Sequence, residues 1–184
     1  AESLTVIEEE ADRLSLLIEN LLDATRLQAG GVSLKKSEIF LPGISSRFAK
    51  KFQTQTEDHK IIIDFPDDFP TCFADEARIE QVLINLISNS IKYADKGKIC
   101  ISGEVHKEML IICVSDEGAG IAPQDIPFIF DRFYRSADAL RNKKGAGLGL
   151  YLAKAIIEAH KGRMWVDTEH GQGARICFAL PIDE

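Results

Sequence analysis

The sequence predicts an α+β fold: a two-layer α/β sandwich, with helices on one face of a mixed and mainly antiparallel sheet, behind an N-terminal bundle helix. Three observations lead to it. Apolar residues recur every three and four positions over several long segments, the spacing of amphipathic helices. Strand-like runs come in adjacent pairs around short turns, the signature of hairpins. At 184 residues, with 45% apolar and 28% charged residues, the chain has the size and composition of one ordinary domain carrying a short appendage.

The appendage is residues 1–31. Leu4, Ile7, Ala11, Leu14, Ile18 and Leu21 keep the a/d spacing of a bundle helix, Leu17 and Leu22 widen the stripe, and Gly30-Gly31 stops it. Such a stripe needs a partner, and no helix of matching length lies next to it in the chain. The partner is expected to be another copy or a further segment; the alternative is that the helix lies on the domain's own core.

The domain proper, 32–184, begins with a short strand and turn to residue 40. Pro42 is placed as a first-turn proline, and Ile44, Phe48 and Phe52 carry a helix to about Glu57. Ile61–Ile63 and Thr71–Ala74 read as strands around the turn-prone Pro66-Asp67-Asp68-Phe69-Pro70. Asp75 caps a long helix to about Tyr93, whose apolar face is Ile79, Val82, Leu83, Leu86, Ile87 and Ile91. Gln81, Asn85, Asn89 and Lys92 share a different face. Asparagine is a poor mid-helix residue because it competes for backbone hydrogen bonds. Two of them one turn apart beside a lysine mark either a wet functional face or a solvated stripe.

Lys98–Val105 and Met109–Ser115 form a hairpin around His106-Lys107. Leu110–Val114 is nearly continuous apolar, so this strand is expected to be buried on both faces, delivering Asp116 to its end. An aspartate there, followed by Gly118 and Gly120, either points into a pocket or makes a turn. Pro123–Phe130 reads as one short helix. The polar run Ser136–Lys144 reads as a mobile loop closing over a ligand, or as an ordinary surface loop. Gly145, Gly147 and Gly149 precede a helix over Leu150–His160, ended by Gly162. Glycines let backbone N–H groups approach phosphate oxygens, and a helix N-terminus favours anions. The run has neither Rossmann spacing nor the Walker order of glycine and lysine. Met164–Thr168 and Arg175–Leu180 close the domain as a hairpin around Gly171-Gln172-Gly173.

The net charge of −7 argues against a nucleic-acid partner bound through a broad basic surface. No apolar run approaches the ~20 residues of a membrane span and there is no secretory signal pattern, so no membrane contact and a cytoplasmic placement are expected. The four cysteines, Cys72, Cys100, Cys113 and Cys177, lack CxxC spacing and are read as reduced core residues without a metal.

Taken together, four motifs resemble those of a known family. Asn85-Leu-Ile-Ser-Asn89-Ser-Ile-Lys92-Tyr93, Asp116-x-Gly118-x-Gly120, Phe130-Asp-Arg-Phe-Tyr-Arg135 and Gly145-x-Gly147-x-Gly149 resemble the N, G1, F and G2 boxes of bacterial sensor histidine kinases. These belong to the wider superfamily of gyrase, Hsp90 and MutL ATPases, with its Bergerat-type ATP-binding fold. Leu21–Gly30 resembles part of the second helix of the family's dimerisation and phosphotransfer hairpin, and a potassium-sensing kinase is the nearest subgroup.

The resemblance implies ATP and Mg²⁺ as cofactors. Asn89 would hold the Mg²⁺ that bridges the triphosphate, Asn85 would support the same region, and Lys92 would offset phosphate charge. Tyr93 would lie beside the adenine, Asp116 would accept a hydrogen bond from the adenine amino group, and Gly118 and Gly120 would leave room for the ring. Arg135, with Arg132 or Lys144, would approach the terminal phosphates, and Gly145, Gly147 and Gly149 would cradle them. Ile121, Phe130, Ala146 and Leu148 complete the implied nucleotide-binding set, and Asn89, Lys92 and Arg135 the catalytic one. The partners it implies are a second copy of the full-length protein and a response regulator receiver domain, with the parent protein anchored to a membrane.

The sequence departs from the family pattern in three places. No histidine here (His59, His106, His160, His170) has the phosphoacceptor context, which is expected upstream of residue 1, so no autophosphorylation is expected of this stretch alone. Ser90 stands where Ala is common, and Ala174 where Thr is usual. Two other readings remain: a superfamily ATPase hydrolysing ATP with a base near Glu80 or Gln81, and a nucleotide-free interaction module.

Overall fold

The computed structural model describes residues 14–15, 18–30, 33–136 and 146–182. Residues 18–28 are helical and form α1. There follow β1 (Ser37–Ile39), α2 (Leu41–Gln53), β2 (His59–Asp64), β3 (Cys72–Ala74), α3 (Glu76–Tyr93), β4 (Gly97–His106) and β5 (Met109–Asp116). Then come α4 (Gly149–Ala159), β6 (Arg163–Val166) and β7 (Arg175–Pro181). The principal sheet has the order β2-β4-β5-β7-β6, with β2 parallel to β4 and every other pairing antiparallel. β1 and β3 form a separate antiparallel pair. This is the expected two-layer sandwich with a mixed, mainly antiparallel sheet.

Central β5 shows why its sequence is apolar throughout. Leu110, Ile112 and Val114 alternate into the main core with α3 residues Ile79, Leu83, Leu86 and Ile87 and α4 residues Leu152 and Ile156. Ile111 and Cys113 join a second cluster with Cys177 and Ala179, flanked by Met109 and Trp165. The register sets Cys113 opposite Cys177, Cα atoms 4.1 Å apart, and the two form a disulfide. The expectation of four reduced cysteines is thereby corrected. The partners are 64 residues apart, and only the pairing of β5 with β7 makes them neighbours. Cys72 and Cys100 are free thiols, and burial pushes Cys72 up to about 11, so it stays protonated and packs as a small apolar side chain.

Pro42 opens α2 as expected, but the helix stops at Gln53, short of Glu57. The Gln53 side chain then serves β2 instead. Its Nε2 donates to the His59 carbonyl at 2.8 Å and its Oε1 accepts the Ile61 N–H at 2.9 Å, giving this edge strand the pairing a further strand would supply. The β4–β5 turn is Lys107-Glu108, one residue beyond the expected centre, with Lys107 at φ 56°. Pro123–Phe130 is a chain of turns, not a helix. Asp125 N–H bonds to Ala122 O at 2.8 Å and Phe128 N–H to Asp125 O at 2.9 Å, while Pro127 has no N–H to continue a helical ladder. At the end of α4 it is Lys161, at φ 59°, that turns left-handed. Gly162 is needed for contact, because a Cβ there would meet the Ala179 carbonyl at 2.1 Å.

The two readings of the first helix divide along its length. Ala24 and Leu27 are buried in the main core and Leu21 packs against it. Arg78 of α3 forms an ion pair with Asp23, and Tyr151 of α4 donates to Gln28 Oε1 at 2.8 Å. Leu14 and Ile18, by contrast, are each 58% exposed. The stripe from Leu4 to Ala11, and Leu17, lie outside the described residues. Among the described residues no helix is long and apolar enough to cross a membrane.

Asp75 ties the layers together. Its Oδ1 caps α3 by accepting Arg78 N–H at 3.3 Å, and its Oδ2 accepts Lys35 N–H at 2.9 Å. Its own N–H donates at 3.0 Å to Nε2 of His160, the C-cap of α4. His160 Nδ1 donates to the Ile156 carbonyl at 2.8 Å, so both ring nitrogens are used by the neutral imidazole. Burial lowers the pKa of His160 below the ordinary histidine value, with Lys36, Asp75 and Arg78 the charged groups around it. Because the folded pKa is depressed, the unfolded chain binds the extra proton. The contribution of His160 is thus complete above pH ~6.5 and declines as pH falls below it. Denaturant midpoints at pH 7.5 and 5.5 are expected to show a smaller acid loss for His160→Gln, which keeps an acceptor but cannot titrate. An equal loss in both proteins rules this account out.

Candidate functional site

The second half of α3, the end of β5, the loop after it and the start of α4 enclose a cavity of about 620 Å³, within the range of small-molecule sites. Leu86, Val114, Leu150 and Ile176 give it apolar walls, and Asn89, Asp95, Asp116, Asp125, Tyr134 and Arg135 its polar ones.

Asp116 is the best-defined group. It is 7% exposed, at the last position of β5. Its N–H continues the sheet by donating to Ala174 O at 2.9 Å. Oδ1 accepts two backbone donors, Gly118 N–H at 3.0 Å and Ala174 N–H at 3.2 Å. No described residue donates to Oδ2, so this cavity-lining carboxylate keeps one acceptor for whatever enters. Gly173 makes the arrangement possible. Its φ is 78°, and a Cβ there would lie 1.8 Å from the Asp116 carbonyl oxygen.

At the phosphate-cradling end proposed by the glycine run, α4 starts at Gly149 behind an N-cap, Leu148, whose side chain makes no capping bond. Asn85 Oδ1 is 3.2 Å from where a Gly149 Cβ would stand, and Asn85 Nδ2 is buried with no hydrogen-bond partner among the described residues. Uncapped helix N–H groups beside an orphaned amide donor are the chemistry an anionic group satisfies.

A family model described as histidine kinase-, DNA gyrase B-, and HSP90-like ATPase matches residues 74–184, the stretch that builds this cavity. The chain belongs to that ATPase family. It is similar to the sensor histidine kinase WalK of Bacillus subtilis strain 168, 36% identical over 187 residues that cover 98% of this chain and 30% of WalK. It is also similar to the sensor protein SrrB of Staphylococcus aureus strain N315, 35% identical over 186 residues, covering 100% of this chain and 32% of SrrB. The chain therefore spans about a third of the length of these relatives. Among solved structures, full-length ShkA in complex with AMPPNP aligns with a TM-score of 0.85 at 27% identity, over 98% of this chain and 38% of ShkA.

Within this ATPase domain the residues singled out in the sequence fall into three groups. Asn89, Tyr93, Asp116, Gly120, Ile121 and Arg135 line the cavity. Others stand just behind it. Gly118 holds Asp116, Asn85 and Gly149 pack together, and Leu148 is buried. Lys92 Nζ is 3.1 Å from the Tyr93 hydroxyl and above its ring, Arg132 stacks over Tyr151, and Phe130 lies beneath Lys154. Ala146 and Gly147 are near the start of α4 without lining the cavity. Lys144, Gly145 and most of the expected loop Ser136–Lys144 lie outside the described residues. Glu80 is ion-paired with Arg47 of α2, Gln81 accepts from Arg78, and neither lines the cavity, so neither stands where it could activate a water there.

Sequence reasoning missed Asp95, Asp125, Tyr134 and Leu150, and the apolar pair Val114 and Ile176. The last two carried a signal: Val114 precedes Asp116 by two residues, on the same strand face, and Ile176 is its register partner. Gly173→Ala is expected to cost about 2 kcal/mol or more through strain at the left-handed φ and collision with Asp116. A denaturation free energy close to that of the unchanged protein counts against this packing.

Proposed function

We propose that this domain binds Mg–ATP and serves as the catalytic part of a sensor histidine kinase. It presents the γ-phosphoryl group to a histidine on another segment, for relay to an aspartate of a response regulator. The observation that carries the reading is the Asp116 carboxylate, with Oδ1 fixed by two backbone donors and Oδ2 left for a ligand N–H. The adenine amino group supplies such a donor. A base with a carbonyl at that position would set acceptor against acceptor, which is costly in a buried site.

The rest of the cavity fits the remainder of the nucleotide. Tyr93 flanks the base. Asn89 offers an amide oxygen to Mg²⁺, a hard ion that takes its other ligands from phosphates and water. The uncapped start of α4 and the unpaired Asn85 amide receive phosphate oxygens. Arg135 neutralises charge on the terminal phosphate, and Lys92 adds to it on release from Tyr93. Mg–ATP, when bound, supplies the phosphoryl group; these residues orient it and stabilise its charge, which is most of what phosphoryl transfer requires. The names of the relatives, sensor histidine kinase and sensor protein, support the kinase reading, as does the complex of ShkA with AMPPNP.

The exposed residues Leu14, before α1, and Ile18 and Leu22, on α1, support a further assignment, that 1–31 is the second helix of a dimerisation hairpin. The partner is a second copy, in the manner of a bundle.

Calorimetric titration of an ATP analogue tests the site. Asp116→Asn keeps an oxygen for Gly118 and Ala174 but turns the free acceptor into a donor, so binding is expected to weaken at least about tenfold with little loss of stability. Asn89→Ala is expected to lose the Mg²⁺ dependence. Binding by Asp116→Asn equal to that of the parent defeats the assignment. Leu14→Asp is expected to leave nucleotide affinity intact while shifting self-association in sedimentation; no shift removes the bundle assignment.

A further inference from the structure

The segment that leads to Arg135 is held in a conformation its residue types do not favour. Phe133, 58% exposed, has φ 62°, a left-handed backbone that costs a bulky residue on the order of 1–3 kcal/mol. The surroundings hold it there. Phe133 N–H donates to Gly147 O at 3.0 Å, and Tyr134 N–H donates to Asp131 O at 3.3 Å. Gly147 lies so close that a Cβ would come within 2.4 Å of the Tyr134 carbonyl oxygen. A further tether is a side chain: the Tyr134 hydroxyl donates to Asp125 Oδ1 at 2.7 Å, and its ring rests on Phe128 with centroids 5.7 Å apart. Tyr134, Asp125 and Arg135 all line the cavity.

We infer that the Tyr134–Asp125 hydrogen bond is a clasp that sets Arg135 into the cavity wall, making Tyr134 a positioning residue for the terminal phosphate. The inference rests on the nucleotide reading above. Arg135 is the next residue in the chain, its Cα about 3.8 Å from that of Tyr134, so an anchored phenol limits where the guanidinium can go. Without that anchor, relaxation of the left-handed turn at Phe133 carries Arg135 with it. The bond also occupies Asp125. A carboxylate in the wall with no donor repels phosphate and competes for the arginine; one that accepts from a phenol does less of both. The same bond raises the pKa of the phenol above the ordinary tyrosine value, so the donor proton stays in place at neutral pH.

The clasp has an outcome that simple wall-building lacks. It should affect the nucleotide's last phosphate and not its base. Affinities of this chain for Mg–AMPPNP and Mg–ADP are to be measured by calorimetry for the parent, Tyr134→Phe, Arg135→Ala and the double variant. Tyr134→Phe keeps the ring on Phe128 and removes only the donor. It is expected to weaken the triphosphate about fivefold to tenfold and the diphosphate less than about twofold, with Arg135→Ala showing the same selectivity. In the double variant the two losses should not add, because both act through one guanidinium. Asp125→Ala is expected to reproduce Tyr134→Phe, and Asp125→Asn, which keeps an oxygen acceptor, to recover most of the loss. Equal weakening of both nucleotides, additive losses, or no change in Tyr134→Phe overturns the clasp while leaving the proposed function standing. Failure of the parent protein to bind either nucleotide overturns the function and the clasp with it.

Discussion

The arrangement depends on one buried carboxylate. Asp116 stands where the central strand ends, and the backbone around it is built to hold a single oxygen of its side chain. An ionised group removed from water needs donors, and two backbone N–H groups supply them at Oδ1. Both donors come from glycine-rich turns. One follows β5 directly, and the other lies across the sheet just before β7, reached because Gly173 lets two backbones touch. The ladder between β5 and β7 is thus a condition of the site. The Cys113–Cys177 disulfide lies in the same ladder, three residues before Asp116.

The helices are placed by a different constraint. Asn89 and the start of α4 face the cavity from opposite elements, so α3 and α4 must keep a fixed mutual position. Packing supplies most of it, through Leu83, Leu86, Ile87, Leu152 and Ile156. The direction is set by polar contacts at the far ends. His160 closes α4 and accepts from Asp75, which opens α3, so the two helices are joined head to tail by a bond between their caps. A buried histidine with both nitrogens engaged is a structural hinge pin. The other buried histidine, His59, is used the same way, with Thr56 on Nδ1 and the Ala94 carbonyl on Nε2. Ala94 packs in turn against Gly118, which links that histidine to the loop carrying the Asp116 donor.

What the sequence revealed followed how local each signal was. The Asp75 cap, the Pro42 start, the double-sided burial of β5 and the strand-end placement of Asp116 are decided within a few residues, and all could be read. The four motifs brought the polar side of the cavity within reach, because Asn89, Asp116 and Arg135 each sit on an element with a clear signature. The disulfide, the Tyr134–Asp125 bond and the placing of Arg132 over Tyr151 were not legible in this way, since each depends on how separate segments pack. Pro123–Phe130 failed for a local reason that was present in the sequence. Pro127 lies inside the proposed helix, where the missing donor outweighs the apolar spacing.

The first helix shows how one segment can serve two surfaces. From Leu21 onward it packs on the main core, with Ala24 and Leu27 buried and with Asp23 fastened to α3 and Gln28 to α4. Six and ten residues before Ala24 in the same stripe, Ile18 and Leu14 are exposed. An amphipathic helix normally commits one stripe to one core. Here the stripe changes allegiance near Leu21, where the helix leaves the domain. The contacts at its base reach further than the helix itself. Gln28 holds Tyr151 through its hydroxyl, and Tyr151 carries Arg132 on its ring, two residues before Tyr134. These contacts connect α1 to the first turn of α4 and, through Arg132, to the segment bearing Arg135. Covalent continuity alone would make α1 a tether, whereas these contacts also fasten it to α4 and to the segment that leads into the cavity wall.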